Sequence, residues 1–277
     1  MGKALENAGT ALTLTGGLRN RGLFKMRSGA ALPLVSVITA TYNAGADLER
    51  CILSVLGQQY RRIELIVVDG GSTDTTVDIL KQYDGKIDCW ISQKDRGVYD
   101  AFNKGVELAN GEWLYFLGAD DRFASDDVLV EIFRKPHISR LLYGNVRWGQ
   151  SGKLYDGKFS STRLFRKNIC QQAIFYHRGL FEALGGFDLR YPLVADWVFN
   201  LRAFALPETR PFYLDCIVAD YCTDGMSTEV TDELFFRERE AIYLDCFGRS
   251  ALYRARFAHG LALRILSAGQ QFRACLR

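Results

Sequence analysis

The chain has 277 residues, 48% of them hydrophobic and 24% charged, and this composition excludes a disordered, collagen-like or low-complexity protein. Residues 1–33 carry five basic side chains against Glu6, and 246–277 carry six arginines and no acid, so a net charge of +3 conceals an acidic body with basic ends. A nucleic-acid binder would carry its basic patch on the folded domain, so that class is excluded; the pattern suits a metal site in the body and an anionic surface touching the ends. Seven scattered cysteines without a CxxC pair read as reduced thiols, and three histidines without ligand spacing do not suggest zinc. There is no apolar run of membrane-span length and no signal-peptide pattern, so the expected location is cytoplasmic or peripheral on the inner face of the cell membrane.

The first strand is expected over Leu34–Ala40, ended by Thr41-Tyr-Asn-Ala-Gly45. Asp47 can cap a following helix that buries Leu48, Cys51, Ile52, Val55 and Leu56. A second strand spans Ile63–Val68 and stops at Asp69-Gly-Gly-Ser-Thr; a helix from about Asp74 turns Val77 and Leu80 inward. Ile87–Ser92 is a third strand. Gly97–Asn110 is a helix with Val98, Phe102, Val106 and Ala109 on its apolar face, and Glu112–Leu117 is a fourth strand leading into Gly118-Ala-Asp-Asp121. Strands alternating with helices predict a parallel, Rossmann-like α/β sheet covered on both faces. Right-handed crossovers place every strand-end loop on one edge, where ligands bind. Thr41–Asn43, Asp69–Ser72, Gln93–Gly97 and Asp120–Asp121 are therefore expected to converge. Beyond them, strands are expected over Leu141–Trp148, Leu154–Phe159 and Phe212–Ala219. Helices are expected over Arg178–Leu184, Val194–Ala205, Glu229–Phe247 and about 251–275.

Asp120 and Asp121 end a strand whose core is Trp-Leu-Tyr-Phe-Leu, and carboxylates there need a cation or hydrogen bonds. Mg²⁺ or Mn²⁺ would take oxygen ligands and leave positions for phosphate oxygens; a solvated turn is the other reading. Asp69 either accepts from a base or ribose or serves its own Asp-Gly-Gly-Ser turn. Lys94, Asp95 and Arg96, ahead of Gly97, suit a phosphate or nucleotide, or form a solvated charged loop. Asp196, near a helix start, is either an N-cap or a catalytic carboxylate.

Four segments stand in a fixed order: Pro33-Leu-Val-Ser-Val-Ile-Thr-Ala-Thr-Tyr-Asn43, Ile66-Val-Val-Asp-Gly-Gly-Ser-Thr-Asp74, Asp95-Arg-Gly-Val-Tyr-Asp-Ala-Phe-Asn-Lys-Gly105 and Phe116-Leu-Gly-Ala-Asp-Asp121. Together they resemble the family 2 glycosyltransferases of GT-A fold, in particular bacterial enzymes that build exopolysaccharide, capsule or lipopolysaccharide. The match covers about residues 33–220. The resemblance implies a nucleotide pocket lined by Thr41, Tyr42 and Asn43, a base contact at Asp69, and a flanking loop Gln93–Gly97. It implies Asp120 as the main metal-binding acid, with Asp121 beside it. Many relatives carry a further acid where this chain has Gly118, which reduces the carboxylates available to a metal. Leu142-Tyr-Gly-Asn-Val146, Gln172-Ala-Ile-Phe175 and Gly185-Gly-Phe-Asp188 resemble the acceptor half. Val194-Ala-Asp-Trp-Val-Phe-Asn-Leu-Arg202 resembles the segment that carries the general base, which makes Asp196 that base.

The implied activity is inverting transfer of one sugar from a UDP- or GDP-sugar to a hydroxyl of a saccharide or polyprenyl-linked acceptor. A non-catalytic nucleotide-binding relative and a sugar-phosphate nucleotidyltransferase are the competing readings. The expected organisation is an extension over 1–32, a catalytic domain over 33–245 with a nucleotide-sugar half (33–125) and an acceptor half (126–245), and a basic amphipathic helix over 246–277. That helix suits a membrane surface, or packing on the body or on a second subunit of a homodimer.

Overall fold

The computed structural model describes residues 13–27, 31–155, 157–222 and 231–275, with side-chain environments given as far as Ala258. Val35–Thr41 (β2) and Ile63–Asp69 (β3) are runs rich in β-branched residues and buried almost throughout, as strands covered on both faces must be. Cys89–Ser92 (β4) and Trp113–Gly118 (β5) complete a parallel group in the order β4-β3-β2-β5. The register levels their ends: Thr41 lies opposite Asp69, Asp69 opposite Ser92, and Ala40 opposite Gly118. The chain returns to the far side of β2 to form β5, so the switch point falls between β2 and β5.

The second half makes the sheet mixed. Ile174–His177 (β9) runs antiparallel to β5 and to Leu141–Trp148 (β7), and Phe212–Tyr221 (β10) runs parallel to β7. Arg122–Phe123 (β6) closes that edge against β10, and Lys153–Tyr155 (β8) pairs with β7, shorter than the strand expected there. At the opposite edge Leu14–Gly16 (β1) adds an antiparallel strand to β4, so part of the segment set apart by its charge belongs to the sheet.

Alternation along the strands divides the core in two. Val35, Val37, Leu65 and Val67 face Gly45–Leu56 (α1), Thr76–Gln82 (α2) and Val128–Phe133 (α4). Ile38, Ile66 and Phe116 face Val98–Leu108 (α3), Gly179–Leu184 (α6) and Ala195–Ala205 (α7). The α1 helix starts before Asp47: Asp74 accepts from Gly45 N at 3.2 Å and Thr76 Oγ1 accepts from Ala44 N at 3.0 Å, so its cap comes from the next loop. Leu56 is exposed, not buried as expected. The buried side of α3 is Tyr99, Phe102 and Gly105, which leaves Val98 exposed at the rim.

Ser161–Leu164 (α5) and Glu233–Cys275 (α8) cover the α7 side. At Gly248, φ of 77° breaks α8 into two limbs, and Arg256 reaches back across the break to Glu240. Ala251 and Ala255 pack inward while Tyr253 and Phe257 point outward. The side chains expected to complete the basic amphipathic face, from His259 to Arg277, lie outside those described.

Candidate active site

The strand-end loops are stitched together at one edge. Gly70 N donates to Thr41 O at 2.9 Å, and Gln93 N donates to Asp69 O at 3.0 Å. The Thr41 hydroxyl, at the end of β2, is buried without a hydrogen-bond partner. Tyr42 is 62% exposed beside it. Asn43, at φ 49°, clips the neighbouring loop: its N–H donates to Ser72 Oγ at 2.8 Å and its Oδ1 accepts from Thr73 N at 2.9 Å.

Asp69, expected to meet a base or ribose, is fully buried and committed to its own loop. Ser72 Oγ donates to Oδ1; Gly71 N, Ser72 N and Ser92 Oγ donate to Oδ2, the last at 2.6 Å. The Lys94–Gly97 loop is similarly self-engaged. Asp95 accepts from Gly97 N at 2.9 Å, and burial pushes its carboxyl up. Arg96 pairs with Asp100, as does Lys104, and Lys104 also donates to Lys94 O. Gly70 lets this loop approach, because a Cβ there would stand 2.8 Å from Asp95 Oδ2.

Asp120 and Asp121 divide two tasks. Asp120 is exposed just beyond the end of β5. Asp121 is 2% exposed and turned inward, where Gln172 Nε2 donates to Oδ2 at 2.6 Å and Cys222 N donates to Oδ1 at 2.8 Å. Burial and the adjacent Asp120 push the Asp121 carboxyl up to about 7. No group of three or more His, Cys, Asp or Glu among the described residues could hold a metal. A divalent ion bound here would have the exposed carboxylate of Asp120 and would need substrate oxygens and water to complete its shell.

Asp196 lies in the first turn of α7 and is 6% exposed. Val194, not Asp196, holds the N-cap position. Tyr99 of α3 donates to Oδ1 at 2.6 Å and Asn168 Nδ2 donates to Oδ2 at 2.7 Å. Burial pushes the carboxyl up to about 6, against the lowering effect of those two donors. One short segment links the two acidic centres: Asn168 holds Asp196, Gln172 holds Asp121, and the four residue steps between them span at most about 14 Å. Cys170, inside that stretch, feels both carboxylates. Tyr99, two residues past Gly97, ties the loop after β4 to the same centre.

Residues 36–172 match the profile of glycosyl transferase family 2. The chain is 41% identical over 215 residues to a PGL/p-HBAD biosynthesis glycosyltransferase of Mycobacterium tuberculosis, covering 75% of this chain and 84% of that one. It is 34% identical over 231 residues to an uncharacterized glycosyltransferase of the same species, covering 80% and 85%. The chain is a family 2 glycosyltransferase. Solved structures share its GT-A fold. Staphylococcus aureus TarS 1–349 with UDP-GlcNAc superposes with a TM-score of 0.59 at 20% identity, over 79% of this chain and 68% of that one. The mannosyltransferase PcManGT of Pyrobaculum calidifontis, with GDP-Man and Mn²⁺, gives 0.59 at 18%, over 88% and 81%.

The glycosyltransferase has a steric reason for Gly118. A Cβ there would stand 2.6 Å from Asp121 Oδ2 and 2.8 Å from Asp120 Oδ1, so the glycine gives the two carboxylates their room. Gly118→Asp is expected to lower stability by about 1–3 kcal/mol through overpacking and to leave Mn²⁺ affinity no higher than wild type. Denaturant melts and metal titration check both. Sequence reading did not assign roles to Tyr99, Asn168, Gln172 or Cys222. Tyr99 and Gln172 lie inside segments that carry the family resemblance, whereas Asn168 and the backbone of Cys222 carry no local signal.

Proposed function

We propose that this glycosyltransferase moves one sugar from a nucleoside diphosphate sugar, UDP- or GDP-linked, to a hydroxyl of a saccharide acceptor, with inversion. The observation that carries this reading is Asp196: a buried carboxylate at about 6, held on both oxygens and joined through 168–172 to the acidic pair at the switch point. The acceptor oxygen attacks the anomeric carbon, the bond to the diphosphate oxygen breaks, and the acceptor proton passes to Asp196. A single displacement inverts the anomeric centre. Asp120 would hold Mg²⁺ or Mn²⁺, which would supply Lewis-acid neutralisation of the leaving diphosphate. Asp121 steadies the Cys222 and Gln172 segments behind it. The UDP-GlcNAc and GDP-Man bound by the two structural neighbours support a nucleotide-sugar donor, and the Mn²⁺ supports the metal.

The acceptor reading is a lipid-linked saccharide of the bacterial surface. The mycobacterial relative named for PGL/p-HBAD biosynthesis supports it. So does α8, where Tyr253 (74% exposed) and Phe257 (69%) stand with Arg249 and Arg254 on a helix suited to an anionic membrane surface. No helix among the described residues is long and apolar enough to cross a membrane.

The test is nucleoside diphosphate release from a panel of UDP- and GDP-sugars with Mn²⁺ and lipid-linked or soluble saccharide acceptors, with NMR assignment of the product anomer. Acceptor-dependent release with an inverted product is expected; a retained configuration overturns the mechanism. Asp120→Asn is expected to weaken Mn²⁺-dependent nucleoside diphosphate binding by roughly tenfold or more while metal-free binding stays unchanged, as calorimetry would show.

A further inference from the structure

Asp196 ends a chain of hydrogen bonds that crosses the buried side of α7. Tyr176 of β9 donates to Asn200 Oδ1 at 2.8 Å, Asn200 Nδ2 donates to Asn168 Oδ1 at 2.9 Å, and Asn168 Nδ2 donates to Asp196 Oδ2. Tyr99 donates to the other oxygen of the carboxylate. The chain has one direction. An ionised carboxylate only accepts, so Asn168 must offer its amide nitrogen, and its oxygen is then fixed toward Asn200. Asn200 must in turn offer its nitrogen to Asn168, which leaves its oxygen for the Tyr176 hydroxyl. Reversing either amide would set oxygen against oxygen.

Asn200 and Tyr176 are fully buried among Phe181, Phe199 and other apolar side chains, where an apolar pair would pack without polar cost. What the polar chain adds at that position is a donor directed at Asp196. We propose that Asn168, Asn200 and Tyr176, with Tyr99 on the opposite oxygen, are positioning residues that hold the Asp196 carboxylate ionised and fixed toward the acceptor hydroxyl. This rests on Asp196 being the base. The titratable groups that face it are Tyr99 from α3, Tyr176 from β9 and Cys170 from the segment leading into β9; burial raises all three, so they stay neutral where Asp196 titrates. Hydrogen bonds to the ionised form lower a carboxyl's pKa, so removing one raises it and moves the acid limb of activity to higher pH.

The experiment measures transfer by the full chain from pH 5 to 9.5 for wild type, Tyr99→Phe, Asn168→Ser, Asn200→Asp and Asp196→Asn. Tyr99→Phe and Asn168→Ser are each expected to move the acid limb up by about 1–2 units, with donor KM unchanged and most of the rate recovered at the high-pH plateau. Asn200→Asp presents an acceptor where Asn168 now finds a donor, draws the amide round, and is expected to move the limb the same way, although residue 200 does not touch Asp196. Limbs that superimpose on wild type, with rates lowered equally at all pH values, would make these residues merely structural and overturn the proposal. Full activity in Asp196→Asn would instead overturn the base assignment. Circular dichroism and nucleoside diphosphate melting shifts check folding, and Tyr99→Phe, which keeps its ring in place, decides if the Asn168 variant does not fold.

Discussion

Asp196→Asn is expected to lower kcat by about 10²–10⁴-fold, the usual contribution of a positioned general base, with nucleoside diphosphate affinity unchanged. The asparagine fits. Its oxygen accepts from Asn168 and its nitrogen donates to Tyr99, whose hydroxyl turns to Leu193 O, already 3.2 Å away. The loss of rate would then report lost basicity, not a damaged fold. With Asp196 as the base, the same carboxyl is expected to set the pH dependence of the wild type. With a carboxyl at about 6, kcat/KM should fall tenfold per pH unit below that value as the base is protonated. Stability should move in the opposite sense. The folded-state value lies above the ordinary 3.8, so the stabilising contribution is complete below the ordinary value and is lost as pH rises through about 6. Asparagine does not ionise. The variant should therefore gain on the wild type between pH 4 and 7 and be more stable by about 1–3 kcal/mol at pH 8, measured by denaturant melts. A slower enzyme that is also more stable would identify a group kept charged for chemistry at a cost to the fold.

Arg19→Ala is expected to destabilise the protein by about 3 kcal/mol and lower Tm by about 10 °C. Glu64 is completely buried in β3, where Arg19 reaches it and also donates to Leu108 O at 2.6 Å. Ser36 Oγ and the Asn110 backbone and side chain supply further donors to the same carboxylate, which places the cost toward the lower end of the range for breaking a buried pair. Two neighbouring contacts repeat the arrangement: exposed Arg21 meets Asp84, and Lys25 reaches the buried Asp88. Glu64→Gln in the Arg19→Ala background should restore a large part of the loss, because the uncompensated charge is then gone; thermal melts of the single and double variants check this.

The nucleotide half was legible because its strands are covered on both faces. That burial leaves continuous apolar runs ended by Asp or Gly, and levelled strand ends then bring the acidic loops together. The second half was less legible. Ile174–His177 is four residues long, too short to show a period, yet it inserts between β5 and β7 and turns the sheet mixed. The start of α1 was misplaced because its cap comes from Asp74 and Thr76, and local spacing cannot reveal a partner that distant in the chain. For α3, the helical period fitted two neighbouring faces, and contact with Phe187 and Asp196 selects the one that carries Tyr99. Asp120 and Asp121 could be singled out because a carboxylate beside apolar residues demands an explanation, and Asp196 because its segment resembles the one that carries the family's general base. The residues that satisfy them could not: an asparagine or glutamine looks alike whether it faces water or anchors a carboxylate. Asp69 shows the converse, an acid at the right strand end that is buried and held by donors from its own turn and from Ser92.

The stretch from Asn168 to Gln172 has a consequence for recombination. Its first residue grips Asp196 and its last grips Asp121, so the two carboxylates share one spacer. Exchanging the acceptor portion between homologues at a junction near residue 125 would import a foreign spacer against a resident Asp121. Such hybrids should work only when the incoming segment brings an asparagine and a glutamine at the same separation.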